Sequence, residues 1–146
     1  LIHMGLAYSQ QYRYNLAMES YLEAKRIAES VNSPRLTSWV YHVIGGLYLE
    51  MRNIDLARDF LTRALDIRQK SDNMNDIAAS MNSLALVLWL QGELDTALNY
   101  LFKALEIEKS ADNTDGISRH VTTLVLYIMK KKNMRNHCHT CTWHWR

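Results

Sequence analysis

The densest chemistry in the chain is a run of sulfur and imidazole, His137-Cys138-His139-Thr140-Cys141-Thr142-Trp143-His144. Thiolate and neutral imidazole are preferred zinc ligands, usually four around one ion. Cys138, His139, Cys141 and His144 are therefore the candidate metal ligands. Their spacing matches no standard zinc knuckle, and both cysteines of the chain already lie in this run, so no second pair completes a known framework. Chance clustering is the preferred account, and a metal-binding module is kept as an alternative. Elsewhere the chain has no Gly-rich phosphate loop, no HExxH and no nucleophile elbow. Asp55, Asp59 and Asp66 fall on expected polar helix faces, where solvated charge is the default. The residues imply neither an enzyme nor a cofactor.

The charge distribution isolates this run. All 15 acidic residues lie at or before Asp115, and from Arg119 onward there are six Lys and Arg and no acid. The segment up to Ser118 carries 11 basic against 15 acidic residues, a net charge of −4. Such a body does not offer the basic face that nucleic acid requires, so no nucleic-acid partner is expected. No apolar run is long enough to span a bilayer and no signal peptide opens the chain. A soluble protein without membrane insertion is expected; its compartment stays open, with the cytoplasm favoured over the others. Leu1 falls in mid-pattern, and the chain reads as a piece of a longer protein.

The elements that must position any site are written in the small residues. Ala17, Ala57 and Ala97 are 40 apart, as are Ala24, Ala64 and Ala104, and Gly5, Gly45 and Ala85 keep the same step. Around them runs one pattern three times: an apolar-periodic helix, a short polar break and a second apolar-periodic helix. One proline and five glycines leave little for a turn-rich β architecture. Asn53 is a plausible N-cap, Ser33-Pro34 sets a cap before a first-turn proline, and Gly92 ends one helix before Glu93 opens the next. Gly45 and Ala57 should let two antiparallel helices close upon each other. Tyr41, Ile44, Tyr48, Phe60, Leu61 and Leu65 then fill the core. A lone hairpin cannot bury its apolar faces, so the hairpins must stack. The expected fold is all-α, a right-handed α-solenoid of three hairpins plus a terminal helix. Its extent is 1–134, with repeats at about 1–33, 34–73 and 74–113, a partial unit at 114–134 and an irregular tail at 135–146.

Tyr41, Ile44, Gly45, Tyr48, Ala57, Leu61 and Ala64 resemble the signature of the tetratricopeptide repeat family. Met81, Leu84, Ala85, Leu88, Ala97, Leu101 and Ala104 repeat it, as do Leu1, Met4, Gly5, Tyr8, Ala17, Tyr21 and Ala24. The step of 40 exceeds the family's usual period of about 34. It is similar to the long repeats of bacterial regulatory proteins, such as response-regulator phosphatases, peptide-sensing regulators and sensory regions of histidine kinases. Kinesin light chains are similar in period. The resemblance implies a non-catalytic protein- or peptide-binding module, a regulatory or signalling segment of a larger protein, whose first helices line a concave groove. Carried over by position, the groove residues are Leu6 from the first unit, Trp39, His42, Val43, Leu49 and Glu50 from the second, and Asn82, Leu86 and Trp89 from the third. His3, Ser9, Gly46, Ser83 and Leu90 are further groove-facing candidates. This lining suits an amphipathic helix or an extended apolar peptide. It lacks the cations with which chaperone-binding members hold a terminal carboxylate. Two further outcomes stay open: a scaffold segment with no groove ligand, its stripe packed against neighbouring repeats, and self-association through the cut solenoid end. His42 reads as a packed or solvated histidine.

The repeat stops near Arg119, and a reading-frame slip explains how. Read from the third base of each codon, His137-Cys138 forces Leu, Trp143-His144 forces Ala and His144-Trp145 forces Leu. These match Leu98, Ala104 and Leu105, each 39 positions earlier. Thr140-Cys141 permits only Leu, Val or Met, the first of which matches Leu101. A slip between Arg119 and Val121 would account together for the lost acids, the clustered Trp, His and Cys, and the lost fourth repeat. A divergent basic tail is the alternative. Ile117, Val121, Leu124, Val125 and Ile128 keep helical spacing, so a terminal helix to about Met134 is still expected.

Overall fold

The computed structural model describes residues 1–71, 73–110, 125 and 128–133. Among them are six helices joined by short turns: α1 (Ile2–Gln10), α2 (Tyr14–Ser30), α3 (Pro34–Glu50), α4 (Ile54–Arg68), α5 (Met74–Leu90) and α6 (Leu94–Ser110). Residues 128–133 are helical as well. Helices α1/α2, α3/α4 and α5/α6 form three hairpins, and α2 packs on α3 and α4 on α5, which makes a solenoid. The candidate metal ligands Cys138, His139, Cys141 and His144 lie outside the described residues.

Local chemistry sets the helix ends. The Ser33 hydroxyl accepts from the Leu36 amide and Pro34 occupies the first turn. The side chains of Asn53 and Asn73 accept from the amides of Leu56 and Asp76. Each bond satisfies one of the four amides a helix start leaves without an intrahelical acceptor. Within each hairpin the turn passes through a left-handed residue at the same step: Tyr12 (φ 58°), Arg52 (φ 61°) and Gly92 (φ 84°). Only the third has the residue type that adopts this conformation without steric cost.

Side-chain size sets the hairpin closure. Ala17, Ala57 and Ala97 are fully buried, as are Ala64 and Ala104. A Cβ built on Gly45 would stand 2.7 Å from Leu61 Cγ and 3.3 Å from the Ala57 carbonyl oxygen. On Gly5 it would stand 2.2 Å from Tyr21 Cε1. The glycines that keep the 40-residue step are thus the points of closest helix approach. Two apolar clusters form the core. One joins Ala17, Tyr21, Ala24 and Ala28 of α2 to Val40, Ile44 and Leu47 of α3. The other joins Ala57, Leu61 and Leu65 of α4 to α5 and α6, and includes Val125 and Ile128. Tyr48 packs against both, stacking on Phe60 at 5.6 Å, while Tyr41 meets Phe60 edge-on.

Polar clasps run between successive hairpins. Arg58 Nη1 donates to Gln91 Oε1 (2.8 Å) and Glu93 Oε1 (2.7 Å), and Gln91 Nε2 donates to Asp55 Oδ1 (3.2 Å). Forty residues after Asp55, Asp95 accepts from Lys132. The second helix of one hairpin is thereby tied to the turn region of the next.

Candidate functional site

The first helices α1, α3 and α5 lie side by side, and their C-terminal ends open onto one cleft of about 660 Å³. Its walls are Ser9 and Gln10 of α1, Leu49 and Glu50 of α3, and Leu86, Trp89 and Leu90 of α5, closed at one side by Tyr12, Tyr14 and Arg52. The 40-residue step explains the convergence. Ser9, Leu49 and Trp89 are one register position on three parallel helices, and Gln10, Glu50 and Leu90 are the next. The cleft is mostly apolar, with a carboxylate and a guanidinium at its rim.

Glu50 is fixed from across the helix pair, accepting from the Ser9 hydroxyl at 2.5 Å. Its charge, together with burial as the larger cause, pushes the Tyr21 phenol up to about 12. Tyr12 and Tyr14 meet edge-on at 6.2 Å, and the Arg13 guanidinium lies over the Tyr8 ring at 5.3 Å. At the far end the Lys131 ammonium lies 5.5 Å from the Trp89 ring centroid. Residue 131 belongs to the helical stretch 128–133, so the chain supplies its own cation to the indole face, a favourable contact.

Of the residues expected in the groove, the structure brings Leu49, Glu50, Leu86 and Trp89 together, with Ser9 and Leu90. It places the others elsewhere. Leu6 is exposed on α1 and does not line the cleft. Trp39 packs edge-on with His3 at 6.0 Å and lines a separate apolar cavity. Val43 packs against the first core cluster. His42 turns toward α4 and α5, where Arg68 Nη1 approaches its Nδ1 at 3.5 Å. The same nitrogen donates to Ser80 Oγ (2.7 Å) and the Asp76 carbonyl (3.0 Å). Burial first, and the Arg68 charge second, lower His42 to about 4, so its ring is neutral at physiological pH. Asn82, one repeat on from His42, donates to Glu108 Oε1 at 3.1 Å, and Glu108 stands one repeat on from Arg68. These residues form a buried polar layer that orients the helices.

The sequence pattern does not single out Gln10 on α1, Tyr14 at the start of α2, or Tyr12 and Arg52 in the turns, since first-helix faces alone point to the groove. The step that aligns Tyr12, Arg52 and Gly92 would have placed the turns beside the same cleft. Among the described residues no group of three or more His, Cys, Asp or Glu is arranged to hold a metal ion. No helix of the described residues is long and apolar enough to cross a membrane.

Comparison with known proteins follows the same architecture. Residues 1–70 and residues 77–110 each match a family model described as tetratricopeptide repeat. No curated protein sequence matches the chain. Among solved structures, BtubC (BKLC) from P. vanneervenii is similar, with a TM-score of 0.80 at 20% identity over 88% of this chain. The match covers 52% of that protein, so this chain spans about half its length, and at this identity the likeness is one of fold.

Proposed function

The chain belongs to the tetratricopeptide repeat family, whose repeats generally mediate protein–protein interaction, and from that premise we propose that the cleft across α1, α3 and α5 holds a peptide segment of a partner protein. The observation that carries this reading is the alignment of Leu49, Leu86, Trp89 and Leu90 along one open wall, with Glu50 and Arg52 at its rim. Apolar anchors within a polar rim are what a docked helix or extended peptide uses. The finer reading is a regulatory or signalling segment of a larger bacterial protein. It draws on the long repeat period, and it takes the module as non-catalytic.

A peptide-display library panned against the purified chain tests the cleft. Enriched peptides should lose about tenfold or more in affinity on Trp89→Ala and on Leu86→Asp, each near or above about 1.4 kcal/mol. Leu22→Asp, on an exposed position of α2 away from the cleft, should change nothing. Peptides that bind all three variants as tightly as the original would remove the groove reading. A scaffold reading is favoured by one observation, that Lys131 of the same chain already lies over the Trp89 ring. Under that reading the library yields no cleft-dependent peptide.

We further read residues 1–134 as one repeat domain and 135–146 as an irregular tail, with the frame slip between Arg119 and Val121 lying upstream of both the terminal helix and the tail. Val125 and Ile128 support the first part, since both are buried and stand 40 residues after the buried Ala85 and Leu88. Sequencing the source gene decides the slip: an uninterrupted frame with no repeat encoded downstream in the shifted frame would overturn it. The Cys138, His139, Cys141 and His144 run is then a by-product of translation. Stoichiometric zinc in the purified chain, lost on Cys138→Ser, would argue for the metal-binding module instead.

A further inference from the structure

The turn inside each hairpin closes the same way three times. The amide of the left-handed residue donates to a carbonyl three residues back: Tyr12 to Ser9 (2.8 Å), Arg52 to Leu49 (3.1 Å) and Gly92 to Trp89 (3.0 Å). The next amide reaches five residues back, Arg13 to Tyr8, Asn53 to Tyr48 and Glu93 to Leu88, each at 2.9 Å. This double closure ends a helix on one left-handed residue, a position that glycine fills best because a Cβ is crowded there. Gly92 follows the rule, and Arg52 (φ 61°) breaks it on a backbone hydrogen-bonded in the same way. Arg52 belongs to the middle hairpin, with a hairpin stacked on either side. Its side chain is exposed and makes no hydrogen bond, ion pair or ring contact among the described residues. It lines the peptide cleft instead. Glu50, the other charge of that rim, is engaged by the Ser9 hydroxyl and does not pair with Arg52. A residue held in a costly backbone conformation, with no contact in the fold to offset it, points to a role outside the fold.

We propose that Arg52 is the specificity-determining residue of the cleft, and that the peptide held there carries an Asp or Glu side chain beside its apolar anchors. The proposal rests on the peptide reading above and names the chemistry of its ligand. A guanidinium presents a planar fork that a carboxylate matches with two parallel hydrogen bonds. Apolar side chains seated on Leu49, Leu86, Trp89 and Leu90 leave the acid to meet Arg52 at the α3–α4 turn. Glu50 repels a carboxylate placed on the Ser9 side, so one register of the peptide is favoured. The pair lies at an open rim, and its contribution is to selection more than to affinity.

The test uses a positional-scanning library of C-terminally amidated peptides with apolar cores, in which Glu, Gln or Lys is placed in turn at each polar position. The original chain should prefer Glu over Gln at one position by about two- to fivefold. Arg52→Gly should erase that preference while raising the thermal unfolding temperature by about 1–4 °C, since glycine relieves the turn. Arg52→Glu should transfer the preference to Lys at the same position. Peptides that need Trp89 yet show no Glu preference, or keep it in Arg52→Gly, would overturn the assignment and leave the cleft standing. A preference seen only with free C-terminal acids would give Arg52 to the peptide end and overturn it too. So would a lower unfolding temperature for Arg52→Gly, which would mean that the side chain serves the fold. Binding that is indifferent to Trp89→Ala throughout the library would remove the cleft reading and this one together.

Discussion

His42 illustrates how a residue's chemistry is reassigned by its surroundings. On a helix drawn in isolation it faces the groove. In the folded chain it accepts the approach of the Arg68 guanidinium and loses most of its water. Its folded pKa of about 4 lies below the unfolded value of 6.5, so the unfolded chain binds the extra proton between those two values. The stabilisation is therefore full above pH 6.5 and is lost as pH falls toward 4, in total on the order of 3 kcal/mol. Denaturant unfolding from about pH 7 to pH 4 should show this loss. His42→Asn, which installs the residue found one repeat later at Asn82, should flatten the slope in that window. An unchanged slope would assign the pH dependence to other groups. Among the described residues no carboxylate lies at bonding distance of the buried Arg68, which is held by a hydroxyl, a carbonyl and the neutral imidazole. Only a neutral ring can offer a lone pair to that cation, which is why the Arg68 charge further depresses His42.

Among the elements, adjacent glycines on α3 have opposite roles. Gly45 touches α4, and an added methyl would drive into Leu61 and the Ala57 carbonyl. Gly46 faces open space, and a methyl added there would meet nothing within 4 Å. Both would gain helix propensity as alanine, by about 1 kcal/mol. At Gly45 the overpacking cost of about 1–3 kcal/mol opposes that gain, so Gly45→Ala should destabilise while Gly46→Ala should stabilise by about 0.5–1 kcal/mol. Urea denaturation of the two variants reads the difference, and equal effects of one sign would refute the close-approach account. The third hairpin carries Ala85 at the same step as Gly45 and buries it fully, so its helix pair accommodates the methyl that the second excludes. Closure is thus tuned hairpin by hairpin through one side chain.

For the whole molecule, stacking divides the core into two apolar clusters joined through Tyr48. Solenoid stability is close to a sum of hairpin and interface contributions, so unequal hairpins should open unequally. The first hairpin is held by the smaller cluster, whose buried members are four residues of α2 and three of α3. Amides of α1 and of the C-terminal half of α2 should therefore exchange at least about tenfold faster than those of α5 under native conditions. Uniform protection across the three hairpins would show a single cooperative unit instead. The cleft depends on the same stacking, because each hairpin contributes only a few of its wall residues.

The hairpins, their order and the points of closest approach follow from the linear chain alone. A 40-residue step in residue size is a steric statement that holds wherever the chain folds. The caps at Ser33 and Asn53 and the break at Gly92 were legible for the same reason, since each depends on its immediate neighbours. The groove, by contrast, exists only once the helices are packed. Which face of α3 looks outward depends on the packing angle of α2 and α4 against it, and a helical pattern one residue out of phase exchanges groove for seam. Packing places Trp39 at the separate apolar cavity and His42 against Arg68, keeps Leu49, Glu50, Leu86 and Trp89 in the cleft, and adds Tyr12 and Arg52 from the turns that the 40-residue step aligns.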